Sequence, residues 1–306
     1  MNKAYNTKTC KEERSALQGL NLINSFLFGA STEKPEDAEF IAKLIIERAT
    51  GKRVEKISVT PEKSLLGIDI GNHGIRMDLY IEEYENGQMA RVYDIEPNNY
   101  GVKELPMRSR YSQALTDVKL LEAGQKYCKL PEYISIWILP EDPFGQNRML
   151  YIVKNSVEGF PRVVYNDGVK KLFLYTGGEL GGSEELKNLL HYFSKSDEEN
   201  VVDSELSRLH DIVENARGNW KVGEQYMTLQ DYIDCEIRER LEKGMQQGIQ
   251  QGIQQGIQQG IQQGMRQGIS TLVKSLRDFR IPDEKILEKI MQEYNMTEEE
   301  AKTYLN

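Results

Sequence analysis

A chain of 306 residues with 28% charged side chains and a net charge of −9 is long enough for one substantial core plus an appendage. An acidic chain repels DNA on average, so any nucleic-acid binding must come from a local basic patch. No apolar run of membrane length and no leading basic-then-apolar segment is present, which excludes a membrane span and leads us to expect a cytoplasmic protein. Three cysteines, Cys10, Cys128 and Cys235, lack metal-ligand spacing and fit buried thiols in a reducing compartment.

Residues 1 to about 14 are polar and read as a frayed terminus. Leu17 to Phe28 reads as a short helix or packed lead-in. Pro35-Glu36-Asp37 then opens a helix with acids in its first turn. Phe40, Ile41, Leu44, Ile45 and Ala49 give it an apolar stripe, and Gly51 stops it. Its acids Glu39 and Glu47 are surface groups or, in the sharper reading, contributors to a metal site. Val54 to Pro61 reads as a first strand.

Two alternating runs follow, Ile75 to Glu83 and Met89 to Glu96, separated by Asn86-Gly87, a strong hairpin signal. Asp78 lies in the first arm, and Asp94 and Glu96 in the second, although strands disfavour Asp. Carboxylates concentrated this way are either a solvated hairpin face or ligands for a hard divalent cation. The turn discriminates between the two. A two-residue turn at Asn86-Gly87 sets Asp78 opposite Ile95 and aims it away from Glu96. A three-residue loop with Gly87 left-handed in a bulge sets Asp78 opposite Asp94, so that Asp78, Asp94, Glu96 and Asn98 share a face. The metal reading therefore predicts the longer loop.

Downstream, Ser109 to Tyr127 is expected to be helical, with Leu115, Val118, Leu120 and Leu121 as its apolar side. Lys103, Arg108, Arg110, Lys119, Lys126 and Lys129 are candidates for the basic patch or else a solvated face. Tyr133 to Leu139, YISIWIL, is a nearly continuous apolar run and reads as a strand buried on both faces, with Trp137 in the core. Further strands are expected at Met149–Val153, Arg162–Tyr165 and Lys171–Tyr175, the last two joined by Asn166-Asp167-Gly168. The glycines at 177, 178, 181 and 182 lack the Lys-Ser/Thr ending of a phosphate loop. Helices are expected at Glu184–Phe193, Asp203–Ala216 and Thr228–Lys243. His73, His191 and His210 have no ligand-spaced partner.

From Gly244 to Gly268 the chain repeats every four residues, GMQQ, four copies of GIQQ, then GMRQ. Each glycine costs a helix about 1 kcal/mol relative to alanine, so the tract is either a helix with an oligomeric role or a flexible spacer. On a helix, a four-residue period advances by about 40° per repeat, a right-handed drift. Pro282 to Asn306 reads as a small helical hairpin, with Met296-Thr297-Glu298 opening a last helix through Leu305.

Arg76-Met77-Asp78 in one arm and Tyr93-Asp94-Ile95-Glu96 in the next resemble the core motifs of PD-(D/E)XK nucleases. More narrowly they resemble the recombination-promoting nuclease family, also described as PD-(D/E)XK family transposases. Leu105 to Gln113, LPMRSRYSQ, is similar to the basic and aromatic helix start that follows in that family. Asp142-Pro143-Phe144-Gly145, the Asn166-Asp167-Gly168 turn and Glu224-Gln225-Tyr226-Met227 also fall where related sequences place such features, so the resemblance covers roughly residues 12 to 230.

The resemblance implies an α/β, restriction-endonuclease-like mixed sheet flanked by helices, with a helical C-terminal tail containing the Gly-Ile-Gln-Gln repeat. The corresponding segments are a nuclease core at 12–182, a helical extension at 183–243, the repeat at 244–268 and a C-terminal helical element at 269–306. It implies a DNA endonuclease acting in recombination or defence in bacterial cytoplasm, dependent on Mg²⁺ or Mn²⁺. Asp78, Glu96 and the Pro97 carbonyl would hold the ion and Asn98 would orient water. Arg108 or Arg110 would steady phosphate oxygens, with Arg76, Asp94 and Tyr111 in support. The chain departs from the pattern at Asn98, where the motif has lysine and the family commonly glutamine. That departure keeps open a non-catalytic DNA- or protein-binding assembly module. A scaffold that forms homo-oligomers through its helical tail is a third reading.

Overall fold

The computed structural model describes residues 17–66, 73–98 and 101–305. Cys10 and the polar leading stretch lie outside them. The chain divides into two compact units, Met1–Leu229 and Gln230–Asn306.

The first unit is α/β. Its sheet has six strands: β1 (Ile57–Leu65), β2 (Ile75–Glu85), β3 (Gln88–Pro97), β4 (Glu132–Leu139), β5 (Leu150–Val153) and β6 (Val169–Tyr175). They run in the order β1-β2-β3-β4-β6-β5. β3, β4 and β6 are mutually parallel, and the other neighbours pair antiparallel. β4 sits inside the sheet and all but its first residue are buried, as its apolar run predicts.

Helices α1 (Ser25–Ser31), α2 (Pro35–Thr50), α4 (Glu184–Ser194) and α5 (Ser204–Gly218) share one apolar core with the sheet. Into it the strands send Leu79, Ile81, Ile95, Ile134, Ile136, Ile138, Leu172 and Leu174. α2 begins on Pro35, whose missing N–H costs nothing in a first turn. It ends where Gly51 takes a left-handed φ of 69°.

The opposite face of the sheet carries α3 (Leu105–Leu120), which differs in kind. Its buried residues are Leu105, Ser109, Ser112, Leu115 and Thr116. A face of small hydroxyls suits a polar sheet surface, and its weak apolar periodicity explains why the helix was expected later, at Ser109–Tyr127. Pro106 stands in its first turn, Val118 is exposed rather than packed, and only a short 3₁₀ turn occupies Tyr127–Lys129.

Other expectations are also corrected. β1 starts at Ile57 and continues through Pro61, which an edge strand tolerates. Arg162–Tyr165 forms no strand, because β6 already has β4 on one side and β5 on the other. Cys128 and Cys235 are exposed, not buried.

α6 (Trp220–Asp278) runs unbroken for 59 residues, begins in the first unit, and carries the whole tetrapeptide repeat as helix in the second. α7 (Asp283–Tyr294) and α8 (Glu298–Lys302) form a small core with its C-terminal end around Ile269, Val273, Ile286, Ile290 and Ala301. Thr297 and Glu300 cap α8 reciprocally, and the helix stops at Lys302 rather than Leu305. Among the described residues no helix is long and apolar enough to cross a membrane.

Candidate functional site

The hairpin reaches the expected convergence of acids by an unexpected route. Glu85 pairs with Gln88 across Asn86 (φ 50°) and Gly87 (φ 77°). This is a two-residue turn with both central residues left-handed, the type I′ geometry that suits Asn-Gly. The three-residue loop is therefore not formed. The register then shifts: Tyr84 faces Met89, but Glu83 faces Arg91, leaving Ala90 as an extra residue in β3. A bulge of one residue reverses the parity of everything beyond it. Leu79 consequently faces Ile95 and Tyr80 faces Asp94. The next step sets Asp78 against Glu96, not against Asp94 as the longer loop would have it.

The Asp78 backbone N–H donates to Glu96 Oε1 at 3.2 Å, so the two acids are tied across the strands. Both line a cleft of about 830 Å³ together with Pro97, Asn98, Arg76, Arg108, Arg110 and Tyr111. α3 supplies one wall. Its Arg108 places Nη2 3.4 Å from Glu96 Oε2 and its guanidinium 5.1 Å from the centre of the Trp137 ring, within reach of a cation–π attraction. Trp137 is the residue beside Glu96 in the parallel β3–β4 pair. Tyr111 donates its hydroxyl hydrogen bond to the His73 carbonyl, joining α3 to the segment that enters β2.

Asp94 is the expected site residue that does not line the cleft. It is fully buried, accepts a 3.0 Å hydrogen bond from the Tyr133 hydroxyl, and leaves Oδ1 without a hydrogen-bond partner. Glu39 and Glu47 stay outside: Glu39 pairs with Lys43 at 2.8 Å, and Glu47 accepts from the Val54 N–H at 3.0 Å. The acid that sequence reasoning missed is Glu62. β1 pairs with β2 on either side of it, Pro61 with Leu79 and Lys63 with Met77, which sets Glu62 beside Asp78. Its φ of 49° is rare for a side chain other than glycine, and no sequence pattern announces it. Trp137 and Tyr133 were also missed as contacts of the site, because an apolar run gives no sign of which face a polar atom will meet.

Three neighbouring carboxyls carry the electrostatic signature of this arrangement. Burial pushes Asp78 up to about 6, with Glu62 adding to the rise and Arg76 and Arg108 opposing it. Burial raises Asp94 as well, against the Tyr133 hydrogen bond and Arg108, while the Asp78 charge adds to the rise. Glu96 is raised well above its ordinary value by burial, then by the charges of Asp94 and Asp78, despite Arg108 and the Asp78 N–H. Desolvated like charges disfavour their ionised forms unless a cation joins them.

Comparison with protein-family models, curated proteins and solved structures finds no match to this chain.

The residues present fit a hard divalent cation, on their chemistry. All the candidate donors are oxygens, the carboxyls are raised chiefly by burial with neighbouring acid charges adding to it, and Asp94 leaves a buried oxygen unsatisfied. Among the described residues no three His, Cys, Asp or Glu side chains converge as a metal-holding group. Mg²⁺ does not need three, since it commonly binds through one or two carboxylates and keeps several waters.

Proposed function

We propose that this protein is a divalent-cation-dependent DNA endonuclease of the recombination-promoting nuclease type, with a restriction-endonuclease-like core. The observation that carries the reading is Asp78 and Glu96, from adjacent strands, lining one cleft walled by Arg76, Arg108 and Arg110. Asp78, Glu96 and the Pro97 carbonyl hold Mg²⁺, with Mn²⁺ as a substitute. The ion, when bound, supplies Lewis acidity at the phosphate and a water of lowered pKa.

The protein's own groups do the rest. Asp78 and Glu96 present paired negative charge where a cation is needed, and Asp94 maintains that field from behind Glu96. Arg108 moderates the field from its position over Trp137. With Arg110 it offers exposed donors to phosphate oxygens, and Arg gives such contacts bidentate geometry. Asn98 lines the same cleft, and its amide orients a water by hydrogen bonding, without the charge a lysine would bring. Arg76, Lys103 and Lys119 are exposed and extend the basic surface a phosphodiester backbone requires on an otherwise acidic chain. The test is nicking of supercoiled plasmid with Mg²⁺. Activity should vanish in Asp78→Ala and Glu96→Ala, and activity that persists in either removes this cleft from the mechanism.

A second reading is favoured by Asn98 standing where the motif has lysine: a family member that binds DNA or protein without turnover. Titration calorimetry separates the two. Mg²⁺ binding that is lost in Glu96→Ala supports the nuclease, whereas no binding even with DNA present supports the binding module.

A further inference from the structure

The sheet has two outer strands, and they are finished differently. β1 carries Pro61, Glu62 and Lys63 in mid-strand, with Glu62 in a left-handed backbone of φ 49°. Proline, charge and an irregular backbone are the usual means of making an edge unfit for pairing. β5 has none of them. Leu150, Tyr151, Ile152 and Val153 are uncharged, and Ile152 and Val153 are 53 and 40% exposed. Among the described residues β5 pairs with β6 alone.

The backbone of that edge is placed to accept a neighbour. The Tyr175 N–H donates to the Met149 carbonyl at 3.0 Å, and along an antiparallel strand inward and outward bonding alternate. Tyr151 and Val153 therefore bond toward β6, while Leu150 and Ile152 turn their N–H and C=O groups outward. A groove of about 500 Å³ follows the strand, lined by all four of its residues with Phe144, Arg148, Gly181 and Gly182.

Cations bracket the strand. Arg148 stands two residues before it and Lys154 directly after it, both exposed. A Cβ at Gly181, where φ is 66°, would collide with the Arg148 guanidinium, so glycine there gives the cation its place in the groove wall. Two neighbouring acids are engaged elsewhere. Asp142 accepts from three loop N–H groups and the Tyr151 hydroxyl, and Glu179 pairs with Lys187 at 3.1 Å.

We propose that β5 is a docking edge for an extended segment of another protein, aliphatic at its centre and acidic at both ends, which adds a strand to the sheet. In such pairing main-chain hydrogen bonds supply affinity, and side pockets select alternate side chains. Acidic ends meet Arg148 and Lys154 whichever way the segment runs. The same charges disfavour a second copy. Two β5 strands paired antiparallel about Tyr151 set Arg148 of each copy against Lys154 of the other, and like charges directly opposite are destabilising. A nucleic acid would meet two cations beside four uncharged residues, a poor match for a run of phosphates.

Fluorescence anisotropy tests this with a labelled peptide, Asp-Val-Thr-Ile-Thr-Val-Asp, titrated with the full chain. Binding should saturate below ~1 mM, with slowed amide exchange across Leu150–Val153. The same peptide with lysine at both ends should bind at least ~10-fold more weakly, and Arg148→Glu/Lys154→Glu should invert that preference. Ile152→Pro removes an outward N–H, a change an edge strand tolerates, and should abolish binding while the cooperative circular dichroism melt survives. No saturation by ~1 mM, equal affinity for the two peptides, or unchanged exchange across β5 would overturn the proposal. So would displacement of the peptide by a DNA duplex, which gives the edge to nucleic acid. A native mass in sedimentation that falls on Ile152→Pro would overturn it too, by giving the edge to a second copy. None of these outcomes depends on whether the cleft cleaves DNA.

Discussion

Replacing Asp78 by Asn should make the metal-free protein more stable. The Asp78 carboxyl rises from 3.8 to about 6 on folding, chiefly through burial. A group whose folded pKa is raised contributes its stability fully below its unfolded pKa and loses it as pH climbs through the folded one. Ionised Asp78 is therefore a liability above about pH 6. The difference of roughly 2 units corresponds to at most about 3 kcal/mol at pH 7.5 and under about 1 kcal/mol at pH 4. For a unit of this size, 3 kcal/mol is roughly 6–12 °C in Tm. Thermal melts in EDTA at both pH values measure it directly: Asp78→Asn should melt higher at pH 7.5, with the gap closing toward pH 4. Adding Mg²⁺ should close the gap at 100 times Kd, where ligand binding stabilises the native chain by about 2.7 kcal/mol, and reverse the order at 1,000 times Kd, where it reaches about 4.1 kcal/mol, since the variant lacks a ligand. A variant that melts at or below the native protein in EDTA at pH 7.5 would refute the idea that folding holds Asp78 where burial disfavours its charge.

Two further outcomes follow from other parts of the fold. Deleting Ala90 removes the bulge while keeping the type I′ turn, so residues 91–97 change faces and Asp94 and Glu96 enter the apolar core. No cooperative melt should survive by circular dichroism, whereas Ala90→Gly should keep it. A deletion variant with a native melt would disprove the register argument. Asp142 is held below the usual carboxylate range: its modest burial alone would raise it, but bonds from Phe144 N–H, the Tyr151 hydroxyl, Asn147 N–H and Gly145 N–H outweigh that. Its stabilisation is present above the ordinary carboxylate pKa and fades as pH falls. Asp142→Ala should therefore cost about 1 kcal/mol in urea melts at pH 7, after allowance for exposure, and less at pH 3.

Elements whose residues agree on one periodicity were legible. α2, β4 and α4 appear where their stripes, caps and apolar runs place them, because each buries its own face in the common core. α3 was misplaced because the surface it covers is polar, so Ser109, Ser112 and Thr116 do the packing that leucines would announce. The hairpin was legible in both arms and misread at its turn. Asn-Gly does form the two-residue turn it favours, and the compensation sits at Ala90, a residue with no turn or bulge signature. Acids on one face can thus be expected from the motif, while the register that puts Asp78 against Glu96 depends on one inserted residue. Glu62 was illegible too, since nothing in a glutamate side chain signals the left-handed backbone it adopts.

The two faces of the sheet divide the work of this unit. On one, aliphatic side chains from β2, β3, β4 and β6 meet four helices, and burial of that kind carries most of the driving force for folding. On the other, α3 meets tyrosines, Trp137 and desolvated acids, several with raised pKa values and Asp94 with an unsatisfied oxygen. Such a face costs stability, and it persists only because the apolar face over-determines the fold. Substitutions at Asp78 or Glu96 should therefore change chemistry without unfolding the chain, which is the condition under which loss of nicking can be read as loss of a site. The acids are also where a neutral, purely structural face would have been simpler to build, with Val or Thr at 94 and 96 pairing equally well with β4. That this chain instead buries Asp94 and Glu96 and sets the half-buried Asp78 beside them, next to an arginine, is what our proposal of a charged ligand rests on.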